Sequence, residues 1–545
     1  MKKLIAVLCL MLGAVALVVG GAGAVVIGPD DTISAPPSVI ENGGAPVVST
    51  PAILAFTNAS VQVSASSAKG PVFLGAAHPV DVKDLVESVP HLAITGVGTS
   101  GVTTEKVAGH GNLADLPPLR DAPVWLVRAE GVGTQTLALE LTDAPVAYVV
   151  SGPGPITLSQ GVTVHGLWPL SLALTVVGIV LIVLGIWVLR RRRKPTTGLS
   201  TRQASASTAA TPTATTAGQP GRALQVVGAG VAVALVASCS ALPSVGQPYD
   251  PKNVRKSALV KSEVAGALKD YDQRNNAAIV AAAKKYDPSL WSKADDGVLL
   301  AADTFETAME KERRSSAAPV TLTTAAAALY SPEFASYPMY AVVGTTETQA
   351  GKPAAAKPQT SLQVLLRDSA RAPWRVASSV PVPLASLPAA AEPGASSTPS
   401  AADLAAALKA AESIRTDYPK GSFTGVVADQ TLAALSKEFA AIKAPSQVSV
   451  KKTVEHFAAE DQTGVRGSVH VVRTTKGTVV VADYRVTGTL VSIDPITMND
   501  QHEAVVRGLQ GGRYELIWHY ALSVAILVPP AGKPVVLGSI NRPIL

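Results

Sequence analysis

Cysteine is nearly absent. Cys9 and Cys239 are the only two in 545 residues, so no disulfide can form within any one of the long polar stretches of the chain. Stability there must come from apolar cores. Cys9 sits inside an apolar run, and Leu8 before it is too large for the position preceding a lipidation cysteine, so Cys9 reads as filler. Aromatics make up 4% of the residues and charged side chains 16%. The eight histidines have no partner four residues on, and neither an HExxH nor a CxxC pattern occurs. A zinc site would have to be assembled from residues far apart in the chain. No GxSxG and no phosphate-binding GxxxxGK[ST] loop is present, which removes the usual signatures of α/β-hydrolases and P-loop enzymes. No cofactor is called for.

Three long apolar runs are present, at residues 4–27, 167–189 and 223–238. The middle one, LWPLSLALTVVGIVLIVLGIWVL, is 23 residues without a charge, with Trp168 and Trp187 near its ends. That length crosses about 30 Å of hydrocarbon as a helix, with its tryptophans at the interfaces. Arg190, Arg191, Arg192, Arg193 and Lys194 follow at once and orient this end toward the cytoplasm. Residues 1–27 carry Lys2 and Lys3, an apolar stretch and an Ala22-Gly23-Ala24 cleavage candidate, so they read as a signal peptide or an uncleaved signal-anchor helix. Residues 28–166 are then placed outside the cytoplasm.

The formal net charge is +6. Nine basic residues flank the apolar runs on the inferred inner side, whereas residues 25–168 hold 12 acidic and 5 basic side chains. The basic balance therefore belongs to membrane flanks rather than to a nucleic-acid surface.

The third run ends in Val236-Ala237-Ser238-Cys239. A branched aliphatic, two small residues and a cysteine form a bacterial lipobox. Small side chains let a signal peptidase reach the backbone, and the cysteine becomes a lipidated N-terminus held by two or more acyl chains. A short helix ending in a buried cysteine is the structural alternative. Residues 190–222 are basic, rich in Thr, Ala, Ser and Pro and without periodicity, so they read as a disordered cytoplasmic loop. The run at 223–239 then returns outward, and 240–252 is a tether.

Residues 28–166 alternate short β-rich runs with Gly and Pro turns, which predicts an antiparallel β-sandwich. Strands are expected at 52–56, 60–64, 72–74, 122–128, 134–141 and 144–150, with a helix at 82–89. Val72, Phe73, Gly75, Ala76, Asp81, Val82, Trp125, Gly133, Thr134, Gln135, Thr136 and Leu137 form two sequence patterns followed by a span and an arginine cluster. On these residues, the chain over 1–194 resembles a family of uncharacterised actinobacterial membrane proteins with an outer β-domain. The resemblance implies a fold and no activity.

Residues 253–384 and 401–545 each open with helices and turn to strands, and a Pro/Ala/Ser linker at 385–400 separates them. Val260, Val264, Leu268 and Tyr271 share one helical face, and Leu432, Leu435, Phe439 and Ile442 another. Strands are expected at 337–346, 361–367 and 374–382, then at 447–455, 469–474, 478–486, 513–528 and 534–540, with a hairpin turn at Lys476-Gly477. This order suggests an α+β region, a tandem pair of cystatin-like or nuclear-transport-factor-like cones. By element order and the upstream lipobox, residues 222–545 resemble actinobacterial lipoproteins of unknown function.

Candidate chemical residues are few. His110 lies in a glycine loop, and Gly98-Thr99-Ser100-Gly101 reads as a turn. Glu455 and His456 are expected on opposite faces of a strand, and His519 follows Trp518. Arg371, Trp374 and Arg375 make either a cation–π surface or an edge strand. The expectation is a multidomain membrane protein with a non-enzymatic role in the cell envelope. It would bind or scaffold an envelope protein, lipid or wall polymer, contacting membrane lipids and no nucleic acid. The alternatives are an envelope hydrolase with a dispersed site, or a fusion or processed precursor of a membrane protein and a separate lipoprotein.

Overall fold

The computed structural model describes residues 2–29, 31–55, 59–98, 101–142, 144–163, 166–190, 250–314, 318–349, 359–390, 397–442, 448–458, 464–495 and 514–545. Arg191, Arg192, Arg193 and Lys194, the lipobox residues Val236, Ala237 and Ser238, and Cys239 lie outside them. The chain divides near residue 252 into two compact units.

The first unit begins with helix α1 (Lys2–Ile27) and ends with helix α3 (Leu167–Arg190). Between them come β1 (Thr32–Ser34), β2 (Ser38–Ile40), β3 (Val47–Ser49), β4 (Ala59–Ser67), β5 (Val72–Ala77), α2 (Pro79–Val86), β6 (His91–Gly98), β7 (Gly101–Val107), β8 (Val127–Gly131), β9 (Gln135–Leu141), β10 (Ala147–Ser151) and β11 (Ile156–Thr163). One sheet runs β1-β11-β4-β9 with β2 also on β11, and the other runs β7-β6-β3-β10-β5-β8. They close on a single core. Val61, Val63, Leu137 and Leu139 come from the first sheet, and Val47, Leu74, Ile94 and Tyr148 from the second. Strand β9 shows why: Leu137, Leu139 and Leu141 are buried while the residues between them face solvent.

Four details depart from expectation. The sandwich contains one parallel pair, β3 with β6. Helix α2 supplies the crossover that brings β6 back alongside β3, as a parallel pairing requires. It starts at Pro79, earlier than expected, because proline is preorganised for the first helical turn. Where a strand was expected at 52–56, the chain forms a 3-10 turn over Pro51–Leu54, opened by the proline. Strand β8 begins at Val127, and Trp125 before it packs edge-on against Phe73 with ring centroids 5.2 Å apart. Gly75 makes room for this pair, since a Cβ there would lie 2.7 Å from the Trp125 ring.

Helices α1 and α3 are both long and apolar enough to cross a membrane. They pack on each other through glycines. A Cβ on Gly178 would meet the Leu17 amide nitrogen at 2.6 Å, and one on Gly13 the Gly178 carbonyl at 2.8 Å. Such small-residue contacts let helix backbones approach closely. Their ends are tied together: the Asp31 carboxylate accepts from the Gly166 and Trp168 amides at 2.9 and 2.6 Å, and β1 pairs with β11. Cysteines introduced by Leu10→Cys and Gly185→Cys, in a Cys9→Ser background, are expected to cross-link under mild oxidation. Adding Gly178→Leu is expected to abolish the product on a non-reducing gel, and undiminished cross-linking would refute the glycine seam.

The second unit holds β12 (Lys256–Ser257), α4 (Lys261–Lys285), α5 (Trp291–Ala294), α6 (Gly297–Arg313), β13 (Leu322–Tyr330), β14 (Glu333–Phe334), β15 (Met339–Gln349), β16 (Gln359–Arg367) and β17 (Arg375–Pro381). Then follow α7 (Ala401–Asp417), α8 (Gln430–Ala441), β18 (Val448–His456), β19 (Val469–Thr474), β20 (Gly477–Ser492), β21 (Glu515–Val528) and β22 (Val535–Ile544). Each half places helices before an antiparallel sheet. The first sheet runs β13-β15-β16-β17, and the second β18-β20-β21-β22 with β19 also on β20. The hairpin between β19 and β20 forms where expected but one residue earlier: Thr475 and Lys476 make the turn, and Gly477, at φ 125°, opens β20 opposite Thr474.

The two sheets stack against each other. Val342, Leu362, Val364 and Val380 of the first share a core with Val472, Val479, Val481 and Ala525 of the second. The opposite face of the second sheet packs on α7 and α8 through Val480, Ala482, Tyr484 and Leu522. Both faces of β20 are thus buried, which explains its near-continuous apolar run. Of the anticipated helical faces, Val264, Leu268 and Tyr271 are buried in α4, while Val260 serves as its N-terminal cap. Leu432 and Phe439 of α8 are buried, with Leu435 and Ile442 packed partly against the same core. The described ends of the 385–400 segment are not free linker: the Arg473 amide donates to Ser397, the Thr475 amide donates to Ala389, and Ala390 bridges to Thr474.

Candidate functional site

In the second unit, the face of the first sheet turned away from the second sheet carries polar side chains. The register sets this. Thr324 lies opposite Glu347, Ser361 opposite Pro381, and Gln363 opposite Ser379, so these residues share one face. Helices α4, α5 and α6 lie over it and bring Tyr271, Asn275, Trp291 and Asp303, while β22 adds Ile540 and Arg542 from the far end of the chain. Together they line a half-open cavity of about 280 Å³.

Around this cavity several carboxyl groups surround one guanidinium. Tyr271 donates to Asp295 at 3.3 Å, and Asp295 is fully buried. Burial pushes the Asp295 carboxyl well above the usual range, and the neighbouring Asp303 charge pushes it further. Asp303 is itself raised, chiefly by burial, with Arg542 opposing. Glu347 is raised by burial and by Asp272, although Gln363 donates to it at 2.9 Å. Asp272 is raised by burial despite hydrogen bonds from the Thr324 amide and hydroxyl at 2.8 and 2.6 Å. The guanidinium of Arg542 is pulled down by burial, and Asp303, Asp483 and Glu347 hold it charged. One of its Nη atoms donates to the Ser379 carbonyl at 2.8 Å. The other, Nη1, and the Gln363 Oε1 are buried without a hydrogen-bond partner among the described residues. Unpartnered buried groups of this kind are costly and call for an explanation.

Asp483 stands behind the cavity, between the two sheets, where the Ser378 hydroxyl donates to it at 2.8 Å. Burial pushes its carboxyl up to about 6 from an ordinary 3.8. A raised carboxyl favours the folded state fully below pH 4 and loses that contribution as pH rises through 6, because the folded state holds the proton longer. Two units correspond to about 3 kcal/mol. Asp483→Asn is therefore expected to flatten the fall in stability between pH 4.5 and 7.5, measured by denaturant titration of the full-length protein. An unchanged pH slope would refute the assignment.

Of the residues singled out from the sequence, Arg190 ends α3, and the lipobox lies outside the described residues. His110 sits in an exposed loop. His456 is buried and Glu455 exposed, on opposite faces of β18 as expected. Thr487 and His519 pair at 2.8 Å. Strand β17 is indeed an edge strand. The cation over the Trp374 ring is Arg367, at 5.8 Å from its centroid, rather than Arg371 or Arg375. Arg375 instead forms an ion pair with Asp296 at 2.8 Å. Among the described residues no group of three His, Cys, Asp or Glu side chains is placed to hold a metal ion.

Residues missed by sequence reasoning are those of the cavity. Asp303, Glu347, Gln363 and Arg542 are spread over 240 residues with no shared spacing. The signal available was local: Asp483 interrupts the apolar VVVADYRV, and Arg542 is the one charged residue in the run VVLGSINRPI. Their side chains carry charge into positions whose neighbours are core.

No curated protein and no solved structure matches the chain. Residues 255–543 match the sequence pattern of a domain of unknown function, DUF8094. The match runs from β12 almost to the end of β22, takes in every residue of the cavity and covers more than half of the protein, and the chain belongs to the DUF8094 family.

Proposed function

We propose that this is a membrane-anchored binding protein whose DUF8094 unit takes a small polar ligand into the cavity between helices α4–α6 and the first sheet. The observation that carries the reading is the lining itself: Gln363 and Arg542, which hold a buried acceptor and a buried donor without partners among the described residues, both line a cavity of about 280 Å³. Binding sites are commonly preformed concavities on which a few polar groups converge. The lining holds serines but neither histidine nor cysteine, which favours binding over nucleophilic catalysis.

Anchoring rests on α1 and α3. Both leave the β-sandwich where β1 and β11 pair, so a bilayer spanned by both helices has the sandwich on one side. The arginines that begin at Arg190 orient the far side as cytoplasmic. Cys239 then serves as the second anchor, lipidated at the outer face after cleavage of the chain before it.

Intact-mass analysis of the membrane fraction tests the anchoring. Two products are expected, one of them acylated and beginning at Cys239, and Cys239→Ala should leave one full-length chain. A single unacylated full-length species in the unmodified protein would refute processing. Native mass spectrometry of protein extracted from its own membranes tests the cavity. A small-molecule adduct is expected that the pair Glu347→Gln and Gln363→Met removes, and an adduct indifferent to both changes would place binding elsewhere.

A further inference from the structure

The chemistry of the cavity narrows what it takes, given that it is a binding site. Its polar wall presents Asp303 and Glu347 against a single cation, Arg542, so negative charge is in excess. Gln363 is 3% exposed, and its amide orientation is fixed because its nitrogen donates to Glu347 at 2.9 Å. That leaves the Gln363 Oε1 as an acceptor with no donor among the described residues. Two carboxyls and a free carbonyl oxygen together suit a ligand group that is cationic and rich in N–H, as a primary ammonium is.

The second unpartnered group has the opposite demand. Arg542 Nη1 is a buried donor without an acceptor, and a guanidinium in such a place suits a carboxylate. Four aliphatic side chains, Ile279, Leu299, Leu322 and Ile540, stand among the polar residues of the lining and offer an apolar body its contacts. At about 30 Å³ per water-sized group, 280 Å³ has room for about nine non-hydrogen atoms.

We infer that the cavity binds a small zwitterion with an apolar body, of the class of aliphatic α-amino acids. The ammonium sits against Glu347, Asp303 and Gln363 Oε1, and the carboxylate on Arg542. Neither charge alone satisfies both unpartnered groups, so the two ends of the ligand act together. The bound ammonium also supplies the positive charge that the acidic wall lacks.

The test uses full-length protein in detergent and isothermal titration with three probes of one carbon skeleton. L-Leucine carries both charges, 3-methylbutylamine only the ammonium, and 4-methylpentanoate only the carboxylate. Leucine is expected to bind, the amine at least tenfold more weakly, and the acid not at all. Glu347→Gln and Gln363→Met are each expected to weaken leucine at least tenfold, and hydrogen exchange should show protection of β16 and α6 on binding. If the amine, or calcium chloride as a further probe, binds as well as or better than leucine and remains sensitive to Glu347→Gln, the ligand class is overturned while the cavity stands as a site. If no probe binds and none alters exchange in β16 or α6, both the inference and the reading of the cavity as a binding site fall.

Discussion

Replacing Arg542 with Met is expected to cost the second unit about 3–5 kcal/mol at pH 7.5 and distinctly less at pH 5. The guanidinium is the cation that opposes the raised pKa values of Asp303, Glu347 and Asp483. Removing one partner of a buried charge cluster leaves the others uncompensated, which is the expensive way to break it. The sign with pH follows. Without Arg542 the three carboxyls rise further above their unfolded values, so the folded state holds protons to higher pH and loses stability over a wider range as pH rises. At pH 5 these groups are more nearly protonated and the missing cation matters less. Hydrogen exchange of β20–β22 amides in the full-length protein reads the effect by unit. Equal losses at both pH values would show that Arg542 contributes packing rather than charge. Arg542→Lys, which keeps a cation but not the planar fork, is expected to recover much of the neutral-pH stability while failing to restore leucine binding.

Tyr484→Ala is expected to be comparably damaging, by about 3–5 kcal/mol, the usual range for removing a buried large aromatic. Tyr484 is fully buried at the centre of β20, within the core that joins the second sheet to α7 and α8. Its hydroxyl donates to the Ala411 carbonyl at 2.8 Å, pinning α7 to the sheet. Truncation leaves both a void and an acceptor that has lost its donor. Tyr484→Phe removes only the hydrogen bond and should cost about 1–2 kcal/mol. The two variants are compared by denaturant midpoint, with the loss expected to appear first in exchange of α7. A loss for Tyr484→Phe as large as for Tyr484→Ala would show that the hydrogen bond, not the ring, holds the helix.

Several elements were legible because one face of each is wet. Strand β9 alternates buried leucines with polar residues, and helix α4 repeats Val264, Leu268 and Tyr271 at helical spacing. Strand β19 was legible to the residue, since the polar run Thr475-Lys476-Gly477 breaks the apolar pattern after it. Strand β13 was not, because LTTAAAALY has neither alternation nor β-branched bulk after its threonines. It is a strand because β15 pairs with it and because Asp272 of α4 binds Thr324. The cavity was illegible for a related reason. Its polar residues sit at every second position of β16 and β17, on a face that sequence patterning would assign to solvent.

The sequence by itself determined the apolar helices α1 and α3, the sandwich strands β4, β5, β9 and β10, and the helix-then-sheet order of both later halves. Each depends on the spacing of apolar residues along a local segment, and local spacing survives without tertiary context. Only the tertiary structure decided that the two halves stack their sheets into one core, that helices cover the polar face of the first sheet, and that Arg542 comes to rest among acids from 59 to 239 residues before it. Those outcomes turn on strand register and on the pairing of distant segments. Burying Asp303, Glu347 and Asp483 around Arg542 is a property of the folded arrangement, for in the extended chain each is an ordinary solvated charge.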